Sequence, residues 1–109
     1  MKTSQGCDMR GLLCFQILWL VSKREMCGKE LSSEIGKRKG QCPKAGTIYP
    51  ALRNLVGDRL LSRERSGKTV RYRITRRGRS AVAEAEDYMY RTFGDMFEEI
   101  YLARKSSAR

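Results

Sequence analysis

Between Leu60 and Thr75 the chain reads as a β-hairpin, and the segments on either side of it have helical spacing. Leu60 to Arg65 is strand-like, Ser66-Gly67-Lys68 supplies a turn, and Thr69 to Thr75 alternates without a break. Alternate side chains of a strand take opposite faces, so Val70, Tyr72 and Ile74 point one way. Thr69, Arg71, Arg73 and Thr75 point the other.

Three helices precede the hairpin. Asp8 is the expected cap of the first, which runs to about Ser22 with Lys23 and Arg24 at the end that favours cations. Residues 12–21 are apolar nearly all round, so one side should face the domain and another a partner. The stretch is too short to span a bilayer, which takes about 20 residues, and it lacks a small-residue cleavage site. A cytoplasmic chain with no membrane partner is expected. Leu31 and Ile35 mark a second helix from Gly28 to near Gly36, and Lys37-Arg38-Lys39-Gly40 reads as a loop. Pro43 should open a third helix reaching Val56, with Ile48, Leu52, Leu55 and Val56 on one face. Thr47, Tyr49, Pro50, Arg53 and Asn54 lie outward. Pro50 costs about 3 kcal/mol in a helix interior, eased only by Gly46, so a kink or break is expected there.

Thr75 caps a final helix running to about Arg104. Arg76, Arg77 and Arg79 crowd the end where the macrodipole disfavours cations, which points to an external anion. Met89, Phe93, Met96, Ile100 and Ala103 then recur at helical spacing, with Tyr90, Phe97 and Tyr101 as a second apolar edge. The whole is mainly α with a small β-hairpin, a winged helix-turn-helix plus a long C-terminal dimerisation helix. Residues 1–7 form a flexible start, 8–75 the winged domain, 76–104 the dimerisation helix and 105–109 a frayed tail.

Charge narrows the function. The formal net charge is +11. Residues 36–79 carry fourteen Lys and Arg against only Asp58 and Glu64, while the last 30 residues are net acidic. A cationic segment within a folded domain usually meets phosphate. The chain has no histidine, which removes the commonest general base and metal ligand, and its four cysteines form no C-x-x-C pair. No catalysis, metal or cofactor is expected, and the thiols are expected to be free. Cys7 and Cys14 fall on roughly one side of the first helix, and Cys42 sits at a helix start in cationic surroundings.

Several strings taken in order resemble PadR-type regulators: Arg10-Gly11-Leu12-Leu13, Ile17-Leu18-Trp19-Leu20, Gly28-Lys29-Glu30-Leu31-Ser32, Gly46-Thr47-Ile48-Tyr49-Pro50-Ala51-Leu52-Arg53-Asn54-Leu55, Leu60-Leu61, Tyr72-Arg73-Ile74-Thr75 and Gly78. The likeness covers about residues 10–80. Lys29 stands where the family usually has tyrosine, and the single C-terminal helix resembles the smaller subfamily. The resemblance implies a homodimer, the third helix in the major groove, the wing beside the phosphates, and repression relieved by a small molecule.

The expected contacts to double-stranded DNA, as a palindromic operator, are Lys44, Thr47, Tyr49, Pro50 and Arg53 on the third helix and Lys68, Arg71 and Arg73 on the wing. Hydroxyls near a helix N-terminus suit anions, and Arg53 can grip phosphate or guanine. Leu13, Ile17, Met89, Phe93, Met96, Phe97 and Ile100 are the expected dimer interface. Trp19, Met89 and Phe93 are candidate lining for a small hydrophobic effector. An architectural DNA-coating protein and a basic protein-interaction module remain the alternatives.

Overall fold

A computed structural model describes residues 12–107, the Lys39 side chain excepted; Asp8, Cys7 and the final two residues lie outside that range. The elements in order are α1 (Leu13–Lys23), β1 (Met26–Cys27), α2 (Gly28–Lys39), α3 (Ala45–Gly57), β2 (Leu61–Ser66), β3 (Thr69–Ile74) and α4 (Arg76–Ser107). The winged helix-turn-helix and the long last helix are present as expected.

The hairpin closes around a tighter turn than the sequence indicates. Ser66 pairs with Thr69, leaving Gly67 and Lys68 as a two-residue turn in which Gly67 takes a left-handed φ of 64°. A third strand joins it: Met26 pairs with Tyr72 and Cys27 with Arg71, giving the antiparallel order β1-β3-β2. Along β3, Tyr72 and Ile74 are buried while Thr69 and Arg73 are exposed, the expected alternation.

Helical spacing placed the core correctly. Leu31, Ile35, Leu52 and Leu55 are 0% exposed, and Ile48 and Leu61 only 1%. Ile17 is also 0% exposed, enclosed by its own protomer. Its expected place in a dimer interface is therefore corrected: α1 already packs against α2, α3, α4 and β3, which cover most of its apolar girth. Leu13 is half-buried and keeps some surface.

Two helices differ from expectation. Instead of stopping near Gly36, α2 runs on to Lys39, because Glu34 draws in Lys37 and Arg38 one turn ahead. The stop is Gly40, whose φ of 80° lets its N–H return to the Gly36 carbonyl at 2.7 Å. Nor does Pro50 break α3, which continues through it to Gly57. Gly46, whose carbonyl Pro50 cannot satisfy, faces open space on its side-chain side.

At the start of α4, the Thr75 hydroxyl oxygen accepts the Gly78 N–H at 2.9 Å and donates to the Arg59 carbonyl at 2.6 Å. A methyl on Gly78 would overlap the Leu60 carbonyl, so this glycine lets α4 lie directly on the chain entering β2. The helix has 32 residues and should be about 48 Å long. That equals the longest dimension of the molecule, 48 Å. It buries only Gly78, Val82 and Ala85. Beyond them the apolar stripe lies bare: Met96 is 55% exposed, Phe97 55% and Ile100 49%. Met89 and Phe93 are half-buried, and the Phe93 and Phe97 rings stack obliquely at 5.7 Å.

Candidate nucleic-acid interface

With Ile48, Ala51, Leu52 and Leu55 turned inward, α3 necessarily presents the residues between them. Lys44, Thr47, Tyr49 and Arg53 are exposed, and Pro50 is half-buried among them. Lys44 precedes the first turn of α3, and the Thr47 and Ile48 N–H groups bond back to its carbonyl.

Tyr49 reaches across to the beginning of α2. A Cβ on Gly28 would stand 2.6 Å from the Tyr49 hydroxyl oxygen, so the absence of a side chain there makes room for the ring. The adjoining residue Cys27 caps α2. Its sulfur accepts the Glu30 N–H, and the Glu30 carboxylate accepts the Cys27 N–H at 2.9 Å. That second bond is the main reason the Glu30 carboxyl is held below the usual carboxylate range. The cap fixes the end of α2 on which Tyr49 rests.

The wing meets this pair from the other side. Tyr49, Gly28, Lys29, Arg63, Lys68 and Tyr72 line a groove of about 390 Å³ between α2, α3 and the hairpin. Burial raises the Tyr72 phenol above its ordinary value. The charge of Arg63 opposes this, and Arg53 acts in the same sense from α3. The groove is therefore bordered by cations from two separate elements around two phenols, an arrangement suited to phosphate oxygens.

Arg63 and Lys29, which line this groove, were not singled out from the sequence. After Leu61, strand β2 carries no apolar alternation, so its faces cannot be told apart from its own residues. The pairing Arg63↔Tyr72 puts Arg63 on the Tyr72 side of the ribbon. The two-residue turn was the available signal, since it fixes that register.

Arg71 and Arg73 lie on the opposite side of the sheet. The Glu25 carboxylate accepts from Arg71 Nε at 3.1 Å and from Arg73 Nη2 at 2.8 Å. Arg71 also reaches Glu30 at 3.3 Å. The structure thus gathers Tyr49, Arg53 and Lys68 with Arg63, and holds the two β3 arginines away from that groove. Arg77, one of the cations crowding the start of α4, donates to the Asp58 carbonyl at 3.1 Å.

Trp19 is half-buried on α1, with Lys23 Nζ 4.6 Å from its ring centroid and the Arg38 guanidinium 5.6 Å away. Cations from α1 and α2 thus occupy the ring proposed to line an effector site. Of the cysteines among the described residues, Cys27 and Cys42 are free, and Cys14 is 1% exposed in the core. Among the described residues no three His, Cys, Asp or Glu gather as a metal site. No helix among them is long and apolar enough to cross a membrane.

Comparison with known proteins places this geometry. None of the curated proteins compared with the chain matches it. RosR of H. salinarum superposes with a TM-score of 0.71 at 23% identity, over 94% of this chain and 100% of that one. A PadR-like transcription factor from Bacteroides fragilis gives 0.68 at 26% identity, over 83% of this chain and 90% of that one. A winged-helix DNA-binding protein from STIV gives 0.64 at 20% identity, over 76% and 90%. These likenesses establish the fold, and residues 17–84 match the family model of the transcriptional regulator PadR-like family. With well over half its length matched in sequence, the chain belongs to the PadR-like family of transcriptional regulators.

Proposed function

We propose that the protein is a homodimeric, sequence-specific repressor that seats α3 in the major groove of a two-fold symmetric operator. The observation that carries this reading is the groove in which Tyr49, Arg63 and Lys68 converge beside the exposed face of α3. Thr47, Tyr49 and Arg53 approach base edges and the nearest phosphates, while Lys44 and Lys68 grip the backbone on either side. The sign of the charge agrees, since the basic excess lies in residues 36–79 and the last 30 residues are net acidic.

The dimer follows from the bare stripe of α4. Met96, Phe97, Ile100 and Leu102 are each about half exposed or more, a costly arrangement for one helix in water. A second copy of the same helix covers it with matching chemistry, and two-fold pairing is the commonest closed assembly. A small hydrophobic effector entering between the subunits beside Met89 and Phe93 would relieve repression by altering the angle between the two reading heads.

Selection of bound sequences from random duplex DNA tests the proposal. A symmetric site is expected, its half-sites centred about one helical turn apart. Recovery of no motif, or of a single asymmetric half-site bound by monomers, would reject it.

A further inference from the structure

The ion pairs behind the wing form a closed group. Glu25 stands in the two-residue link between α1 and β1, and its carboxylate takes both β3 arginines. Arg71 reaches on to the Glu25 carbonyl and to Glu30, Arg24 joins Glu30 at 3.5 Å, and Arg73 approaches Glu64 at 3.8 Å. Three arginines thus face three glutamates on one side of the sheet. The groove side has no such balance, since Lys29, Arg63 and Lys68 line it without a carboxylate.

The group also spans distant pieces of chain. Arg71 and Arg73 lie 46 and 48 residues from Glu25, and Glu30 is both partner to Arg71 and the residue that closes the cap of α2. The carboxylate therefore ties the middle strand of the wing to the start of the helix on which Tyr49 rests. Arg73 donates through Nε and Nη2 to one of its oxygens, Oε2, while Arg71 takes the other, so both oxygens are held by charged donors.

We propose that Glu25 is a positioning residue for DNA recognition: it neutralises the outer face of the wing and locks β3 to α2, so that a duplex meets only the groove face, with Tyr49, Arg63 and Lys68 in fixed relation. This rests on the DNA-binding reading above. It assigns Arg71 and Arg73 to holding the wing, in place of the phosphate contacts expected from their sequence position. Both arginines hold Glu25 in its charged form, consistent with a lock that is closed at neutral pH.

The test is Glu25→Gln in the full chain, titrated with the operator recovered by selection and with a random duplex of equal length, over a range of salt. Operator affinity should fall roughly three- to tenfold, the range an exposed ion-pair network carries. Random-duplex affinity should change little, so the preference for the operator drops. The slope of log affinity against log salt should stay at the wild-type value, because no phosphate contact is removed; Arg63→Gln should lower it by about one unit per bound protomer. Tighter binding with a steeper slope would overturn the proposal, since the freed arginines would then be phosphate ligands that Glu25 competes for. Equal loss on both duplexes, or no change on either, would overturn it too. Should Glu25→Gln fail to fold, Arg73→Gln, at the more exposed end of the pair, is expected to give a smaller effect of the same kind. Wild-type protein that binds neither duplex would instead sink the DNA-binding reading.

Discussion

Replacing Gly28 by alanine separates folding from recognition. The added methyl would stand 2.6 Å from the Tyr49 hydroxyl oxygen, 2.7 Å from Cε1 and 2.8 Å from Cζ. Carbon atoms settle at about 3.5–4.0 Å, so the ring must retreat by about 0.8 Å or turn aside. All three atoms belong to the far end of a side chain that is 41% exposed, so the ring can yield without disturbing α3. An off-rotamer tyrosine costs about 0.5–1.5 kcal/mol. Alanine in place of glycine in a helix gains up to about 1 kcal/mol, less in the first turn. The two nearly cancel, and the melting temperature should move by only a few degrees. Recognition has no such offset. A hydroxyl bond to a charged phosphate is worth at least about 1.5 kcal/mol, and a dimer loses two, so operator affinity should fall on the order of 10²-fold. Fluorescence anisotropy with a labelled operator, read beside a thermal melt, measures both. In a Tyr49→Ala background the added glycine substitution should have no further effect. Unchanged affinity in Gly28→Ala, or the same loss with Tyr49 already removed, would refute the placement of Tyr49 at the duplex.

Gly78→Ala acts on backbone, because its methyl would overlap the Leu60 carbonyl, which also accepts the Thr75 N–H at 3.1 Å. Such overpacking should cost about 2 kcal/mol or more and lower the melting temperature by about 10 °C; a melt unchanged within error would show that α4 is not seated on this turn. Phe97→Asp with Ile100→Asp places two charges in the bare stripe of α4 and should give monomers with an intact winged domain, read by sedimentation and circular dichroism. A stable dimer of that variant would move the interface elsewhere. Glu25 and Glu30 both have carboxyl pKa values lowered from 4.5 by folding. Their contribution is therefore present above that value and is lost as the pH falls through the lowered folded values. A Glu25→Gln, Glu30→Gln variant should show a flatter acid limb in a stability-against-pH curve, and a limb of wild-type steepness would count against the pairing.

Much of this architecture was legible because local pattern and packing agree. The 3.6-residue spacing of Ile48, Leu52 and Leu55 and the strict alternation of β3 each name the buried face directly. What was hidden depends on contacts far apart in sequence. Met26 and Cys27 form a strand only by pairing with β3, and two residues carry no periodicity of their own. Arg71 and Arg73 look like free wing cations until Glu25, in a link with no motif, is brought beneath them by that pairing. Arg63 looks like one charge among several in Leu-Ser-Arg-Glu-Arg-Ser, and only its register against Tyr72 reveals its side. Ile17 shows the reverse error: an apolar girdle that reads as surplus is absorbed once four elements surround it.

The last helix is welded to the reading head at Gly78 and runs to Ser107 without a joint. A rod of that kind transmits rotation. Each residue along it turns its neighbours by about 100° and advances them by about 1.5 Å. Inserting a single residue between Ala85 and Met96 would swing the distal apolar stripe by about a quarter turn relative to α3 while leaving both ends chemically intact. In the dimer proposed above, the orientation of the second copy would accordingly be set by counting residues along a shaft, and an indel there would re-aim it without touching the groove beside α3.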